Sequence, residues 1–270
     1  MSHKNSFKMR ITLSTTLLAL ASCQATAPDR EVKEHAQRPF ISQTPHTVAE
    51  DVIAVEMGAQ VWSGHESELP IMVRYGLGEQ TEFFVGTSPY KKVDFNEDLP
   101  DGSGWGDTYI GMRHRLREKD MYAPAWAVQI QTKLPTGRPS QGLGTGLTDW
   151  YAAVMANQTY YDFDTTAFYQ LGILGETNTV EPDSNYEHTL AVQTRREMNT
   201  SVTALGEFAF VFEPEDNRTE ATLFGGASFQ LDSLTAVDVG LRVGLGDDAP
   251  DFQVLIGFSR ALGMLFFPDN

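Results

Sequence analysis

The sequence predicts an all-β protein, a closed antiparallel up-and-down transmembrane barrel of about 12 strands. From Val52 to Leu262, segments of about 10 residues are apolar at every second position, as in strands with one face in lipid. The connections alternate between short turns and longer, acidic loops rich in Gly, Pro and Asn, as expected for a chain that crosses a membrane back and forth. After residue 22 no apolar run reaches the ~18 residues of a spanning helix, which excludes a helical membrane protein.

The N-terminus has the composition of an export signal. Lys4, Lys8 and Arg10 precede an apolar stretch over residues 11–20, which is the order of the basic and apolar regions of a signal peptide. We therefore predict that residues 1–22 are a signal peptide and that the protein is exported.

The tetrad Leu20-Ala21-Ser22-Cys23 resembles the bacterial lipobox, in which the chain is cut before the cysteine and the thiol is diacylated. It predicts a lipoprotein-type signal peptide with Cys23 as the lipidation site. The alternative is ordinary cleavage near residue 25 or 27, which would discard Cys23. Because Cys23 is the only cysteine, the mature domain holds no disulfide under either alternative.

The stretch between the lipobox and the first strand is polar, contains Pro28, Pro39 and Pro45, and has no hydrophobic periodicity. It predicts a disordered, flexible periplasmic tether over residues 23–49. A functional arm is the alternative interpretation. The barrel then occupies residues 50–262, and residues 263–270 form a C-terminal tail.

Twelve alternating segments make up the predicted barrel. Near its C-terminus, Val237, Val239 and Leu241 alternate with Asp238 and Arg242, so that one face is apolar and the other polar. An even number of strands leaves both termini in the periplasm, on the side of the short turns. The predicted strands span residues 52–62, 69–76, 81–88, 105–117, 123–134, 148–160, 164–174, 186–198, 201–213, 219–231, 235–245 and 252–262.

The net charge limits the kinds of partner that the protein can bind. With 20 Lys and Arg against 36 Asp and Glu, the net charge is −16, and no nucleic-acid partner is expected. Acidic residues collect in the predicted outward loops at 94–101, 176–187 and 247–251, without the spacing of a calcium loop at 94–101. We expect no metal and no cofactor. The expected partners are outer-membrane lipids, lipopolysaccharide, the barrel-assembly machinery and a small-molecule solute.

Strand parity places a mixed, slightly basic set of polar side chains on the inner face. About twelve strands leave a narrow or partly blocked passage, between the packed interior of eight strands and the aqueous channel of sixteen. The functional interpretation is a selective conduit with an acidic mouth and a basic ladder inside. The alternative is that these charges only pair with one another and fill the interior. The candidate lumen-lining residues are Glu56, Gln60, Arg74, Asp107, Arg113, Arg115, Gln129, Gln131, Lys133, Asp149, Arg195, Glu207, Asp238 and Arg242.

A catalytic site is not expected. A hydrolase needs a nucleophile with a histidine and an orienting partner in reach, and none of the 6 histidines has a suggestive serine beside it. The glycines at 142, 144 and 146 are not followed by the Lys and Ser or Thr of a phosphate loop. We therefore predict that the protein is not an enzyme.

Several motifs resemble those of the outer-membrane barrel family named for a phenol meta-cleavage pathway. They cover most of residues 50–262. The resemblance implies a barrel that passes small, often aromatic, hydrophobic compounds, and the family has no catalytic residues to transfer. The motifs are Gly104-Trp105-Gly106-Asp107 to Arg115-Leu116, Pro124 to Lys133-Leu134-Pro135-Thr136-Gly137, Gly142 to Gly146, Thr148-Asp149-Trp150, and the closing Val239 to Leu245 with Asp247 to Asp251 and Gly257-Phe258-Ser259.

Together these features predict a lipidated or simply exported barrel in the outer membrane of a Gram-negative bacterium. Its predicted role is the passive passage of small molecules, in part aromatic or hydrophobic. A sealed, non-conducting barrel with a structural or binding role is the alternative. A soluble periplasmic carrier of the lipocalin type is a more distant third interpretation.

Overall fold

The computed structural model describes residues 36–63, 66–93, 102–175 and 185–264, with side chains up to residue 262. Twelve long strands form the wall of the barrel, and three short ones, β2, β5 and β6, extend it at one end. In chain order the strands are β1 (Val52–Trp62), β2 (Ser67–Glu68), β3 (Ile71–Gly78), β4 (Thr81–Thr87), β5 (Lys91–Val93), β6 (Gly102–Gly104), β7 (Thr108–Arg117), β8 (Ala125–Leu134), β9 (Asp149–Tyr160), β10 (Phe163–Leu174), β11 (Asn185–Asn199), β12 (Val202–Glu213), β13 (Arg218–Asp232), β14 (Thr235–Gly244) and β15 (Phe252–Met264).

The sheet closes on itself. Each wall strand pairs antiparallel with the next, and the last strand, β15, pairs with the first, β1, from Val52 opposite Met264 to Trp62 opposite Gln253. Closure removes the two free edges, so that the backbone groups of the wall can be hydrogen-bonded without water. The predicted fold class, a closed antiparallel barrel of twelve wall strands, is confirmed.

Adjacent residues in β15 show how sharply the two faces differ. Leu255 is 1% exposed and points inward, whereas Ile256 is 57% exposed and points outward. The strand has a period of two, and the register with β1 and β14 is continuous around Ile256, so neighbouring strands present the same face. The outward apolar side chains include Val73, Met112, Val128, Ile130, Leu190, Val192, Phe208, Leu223, Val239, Leu241 and Val254.

Aromatic side chains mark both rims of this apolar belt. Trp105 and Trp150 are exposed at the loop end of the barrel, while Trp126, Tyr160 and Tyr161 are exposed at the turn end. Such positions match the interfacial belts in which indole and phenol rings lie at the headgroup level. The apolar belt is thus bordered by aromatic side chains at both ends, as in a membrane-spanning barrel.

The short turns close with side-chain caps. Asp120 accepts hydrogen bonds from the amides of Tyr122 and Ala123, at 2.8 and 2.9 Å. Asn199 does the same for Ser201 and Val202, both at 2.9 Å. Asn and Asp favour tight turns because their side chains bond to the backbone two residues on.

The predicted tether is wrong for residues 36–49, because these residues lie inside the barrel. We call residues 36–50 the plug. Its Gln37, Ser42, Thr44, Thr47 and Val48 side chains are all less than 5% exposed. A segment held by hydrogen bonds to the wall needs no hydrophobic periodicity, which is why its sequence resembled a linker.

Other predicted segments fall wholly or partly outside the described residues. These are the signal peptide (1–22), Cys23, the tether up to residue 35, and the acidic stretches at 94–101 and 176–184. The predicted tail begins too early, since β15 continues to Met264. Among the residues that the structure describes, no helix is long and apolar enough to cross a membrane.

Candidate functional site

The lumen is the candidate site, and a ladder of alternating charges crosses one side of it. Glu56 on β1 lies 2.8 Å from Arg74 on β3, Arg74 lies 2.7 Å from Glu82 on β4, and Glu82 lies 3.2 Å from Arg113 on β7. All four side chains are at most 2% exposed. Arg113 also donates from Nε to Gln129, at 3.0 Å. Each buried charge thus has an opposite charge beside it, as burial requires.

A second charged pair lies on β12 and β14. Arg242 Nη2 is 3.3 Å from Glu207 Oε2, and Arg242 Nη1 donates to Gln253 on β15. The Arg242 guanidinium lies 5.5 Å from the ring centre of Phe224 on β13. This pair lies on strands outside the first ladder, so fixed charge in the lumen is not confined to β1, β3, β4 and β7.

A third cluster lies at the loop end and fastens the outer loops. Lys133 forms ion pairs with Asp149 and, at 3.8 Å, with Asp107. Asp107 accepts a hydrogen bond from the Gly137 amide at 2.9 Å, and Asp149 accepts one from the Gly175 amide at 2.9 Å. These contacts hold the connections that leave β8 and β10 over the mouth of the barrel.

Three glutamates of the wall bind the main chain of the plug. Glu56, Glu82 and Glu207 stand on β1, β4 and β12 and accept hydrogen bonds from plug amides. Such bonds to a carboxylate are charge-assisted and stronger than those between neutral groups. The amides are those of Gln37 and Arg38 to Glu56, both at 3.1 Å, Val48 to Glu82 at 2.8 Å, and Ile41 and Ser42 to Glu207 at 3.0 and 2.8 Å.

Arginines of the wall bind the carbonyl groups of the same segment. Arg195 donates to the Ala36 carbonyl at 2.6 Å, and Arg242 donates to the Pro39 carbonyl at 3.1 Å. The His46 carbonyl accepts from Arg74 and Arg113, at 3.4 and 3.3 Å. Charged side chains of the wall therefore bind both the amide and the carbonyl groups of the plug.

A band of the inner wall across β8 to β12 is apolar and built mainly of small side chains. Its six buried residues come from five adjacent strands, β8 to β12, and Ile41 of the plug packs against them. This surface was not predicted. In the sequence it corresponds to a recurring alanine at inward positions, which the pattern of polar residues does not indicate. The residues are Ala127, Ala153, Met155, Phe168, Ala191 and Ala209.

The plug separates two cavities. One, of 260 Å³, lies towards the loops and is lined by Phe40, Met72, Tyr109 and Gln131 among others. The other, of 560 Å³, lies towards the turns, and its lining includes the plug residue His46. Plug residues line both cavities, so the segment stands between the two ends of the lumen.

The structure places the fourteen candidate lumen residues on the inner side of the wall. Ten are buried and belong to the contacts above or lie beside them, and Gln60, Asp107, Gln131 and Arg195 are partly buried. Their part in a passage stays a prediction. Sequence parity missed Glu82 and Gln253, although both share the inward register of their strands. Within the described ranges, no three metal-ligating side chains come together.

Solved structures of outer-membrane proteins have the same fold. The COG4313 outer membrane channel from Pseudomonas putida F1 is 10% identical, with a TM-score of 0.64 over 80% of this chain and 97% of that chain. The NanC porin is 10% identical, with a TM-score of 0.57 over 76% of this chain and 98% of that one. The KdgM porin, in complex with disordered oligogalacturonate, is 10% identical with a TM-score of 0.53 over 77% and 98%. At this identity the likeness concerns the fold.

No curated protein matches the chain. The family model described as "Putative MetA-pathway of phenol degradation" matches residues 36–261, which include the plug from its first described residue, eleven wall strands and most of the twelfth, β15. This confirms the resemblance drawn from the motifs. The chain belongs to that family of outer-membrane-type barrels.

Proposed function

We propose that the protein is an outer-membrane barrel for the passive passage of small molecules. One observation carries this proposal: a closed wall of twelve strands turns its apolar side chains outward and encloses a lumen with cavities on both sides of a plug. A barrel with this outer face is stable only in a lipid surround. The channels and porins that share the fold support the same role.

The proposed solutes are small and partly hydrophobic or aromatic. In support, the lumen has a charged side, at Glu56, Arg74, Glu82 and Arg113, and an apolar side made largely of alanines. A solute with an apolar body and one polar group would find a partner on each side. The description of the family as part of phenol degradation fits this class.

The proposal includes a location and an anchor. The protein would lie in the outer membrane of a Gram-negative bacterium, exported by residues 1–22 and acylated on Cys23. Its partners would be outer-membrane lipids, lipopolysaccharide and the assembly machinery. No catalytic role is assigned to any residue.

The plug favours a second candidate, a sealed barrel with a structural or binding role, because it fills the lumen between the two cavities. Planar-bilayer recording of the purified protein separates the two. Heat-modifiable migration on a gel first establishes that the sample is folded. Steady single-channel steps support passage, whereas their absence in a folded sample supports the sealed barrel.

A further inference from the structure

We propose that the plug is a displaceable gate, which the barrel binds through its main chain and which covers a binding track for flat, apolar solutes on the inner wall. The proposal rests on the proposed function and adds to it the part that moves and the surface that the movement uncovers. Three features of the lumen support it.

The first feature is that the three glutamates that bind the plug also have arginine partners on the wall. Arg74 pairs with Glu56 and Glu82, and Arg242 pairs with Glu207, independently of the plug. Removing the plug therefore leaves each of these three glutamates beside a cation of the wall. For them, the penalty for an unpaired buried charge, which normally locks such contacts in place, does not arise.

The second feature is the uneven distribution of apolar contacts along the plug. Its root is fixed, because Val48 packs in a buried cluster with Val52, Ala54 and Ala261. Farther out, the apolar anchors are Phe40, whose ring lies 5.6 Å from that of Phe224, and Ile41. The rest of the segment is held by hydrogen bonds that water can replace. The plug can thus swing out about residues 48–51 without unfolding the wall.

The third feature is the surface beneath the plug. Ile41 packs against the cluster of six apolar side chains on the inner wall, which carry no charge and span five adjacent strands. A side chain in this place occupies the surface as a flat apolar solute would. Burial of apolar surface is favourable, so an apolar solute would bind to the track once Ile41 has left it.

Thiol labelling tests the displacement. Thr44 lies in the plug and is 1% exposed, and its hydroxyl accepts a hydrogen bond from Gln37, which is also in the plug. In a Cys23→Ser background, Thr44→Cys should react slowly with a bulky maleimide added from water. Glu207→Gln removes the charge that holds two plug amides and the Ser42 hydroxyl, and should raise the labelling rate about tenfold or more.

The matched control is Glu213→Gln. Glu213 lies on the same strand as Glu207 and pairs with Arg218 at the loop end, 3.2 Å away. This change should leave the labelling rate as it was. Equal rates in all three proteins would overturn the proposal that the glutamates hold the plug. Gel migration of the unheated samples shows whether each variant has folded.

A photo-cross-link between the plug and the wall tests whether the plug acts as a gate. A diazirine-bearing aliphatic amino acid in place of Ile41 lies against the apolar wall, and irradiation should join it to that wall. Single-channel steps should then disappear, and uptake of toluene into proteoliposomes should fall with them. Single-channel steps that continue in the cross-linked protein would contradict the proposal that the plug is a gate. They would still agree with the proposed passage of small molecules. Conversely, a Glu207→Gln barrel that labels rapidly yet never conducts would retire both the passage and the gate.

Discussion

The Ser42 amide lies 2.8 Å from Glu207 Oε1, and the other oxygen of the same carboxylate lies 3.3 Å from Arg242. One glutamate on β12 thus joins the plug to β14, two strands along the wall. The geometry makes this carboxylate a junction between the wall and the plug.

Glu207→Ala should destabilise the barrel by about 3–5 kcal/mol, because Arg242 would remain buried without its carboxylate. Adding Arg242→Met should restore part of the loss, since the unpaired charge is then gone. Urea unfolding in lipid vesicles measures both. Strictly additive effects would show that the two side chains are not coupled.

Replacing Arg113, Arg115 and Arg242 with Ser should shift ion selectivity towards cations, because three fixed positive charges leave the lumen. The reversal potential under a KCl gradient measures the shift. An unchanged potential in a barrel that still conducts would place these arginines away from the route of the ions.

Acid should weaken the docking of the plug. Burial lowers the pKa of His46 from 6.5 to about 4, opposed by Asp164 and aided by Lys119, Arg195 and Arg115. The undocked histidine takes up a proton near pH 6.5, so the docked form binds fewer protons between pH 6.5 and pH 4. Docking therefore weakens as the pH falls through this window, levels off below it, and does not change above it.

The frequency of single-channel opening at pH 7 and pH 5 measures this effect. His46→Gln is the control, because glutamine is polar and does not titrate. The increase at pH 5 should be absent in this variant. An increase of equal size in both proteins would assign the acid response to other groups.

Ile256→Arg should impair insertion by about 2–4 kcal/mol, because the side chain lies in the middle of the outward face of β15. Leu245→Arg, at the loop-end rim of β14, should cost about 0–1 kcal/mol. Folding yield in liposomes compares the two. Equal yields would contradict the assignment of this face to lipid.

Metabolic labelling with a fatty acid should mark the wild-type protein and fail to mark Cys23→Ala, since the lipobox thiol is the proposed acceptor. Unlabelled wild-type protein in the outer membrane would indicate ordinary signal cleavage instead.

The wall could be predicted from the sequence because a period of two is imposed by lipid on every strand. The strand predicted over residues 164–174 is β10, Phe163–Leu174, and the others agree to within a few residues. The inward positions of Arg74, Arg113 and Arg242 followed from the same parity.

The plug could not be predicted in this way. Its partners, Glu56, Glu82 and Glu207, are far apart in sequence and bind peptide groups, which every residue carries. The short strands β2, β5 and β6 were also missed, because two or three residues show no periodicity. The apolar inner wall was not predicted for another reason. The sequence does not distinguish an inward alanine that faces a solute from one that packs against protein.

The contacts of the plug extend to the last strand of the chain. Val48 packs with Ala261, and Arg38 donates to the Ile256 carbonyl at 3.3 Å, both on β15. These contacts cannot form until β15 is in place beside β1, so the plug completes its set of contacts only when the barrel has closed.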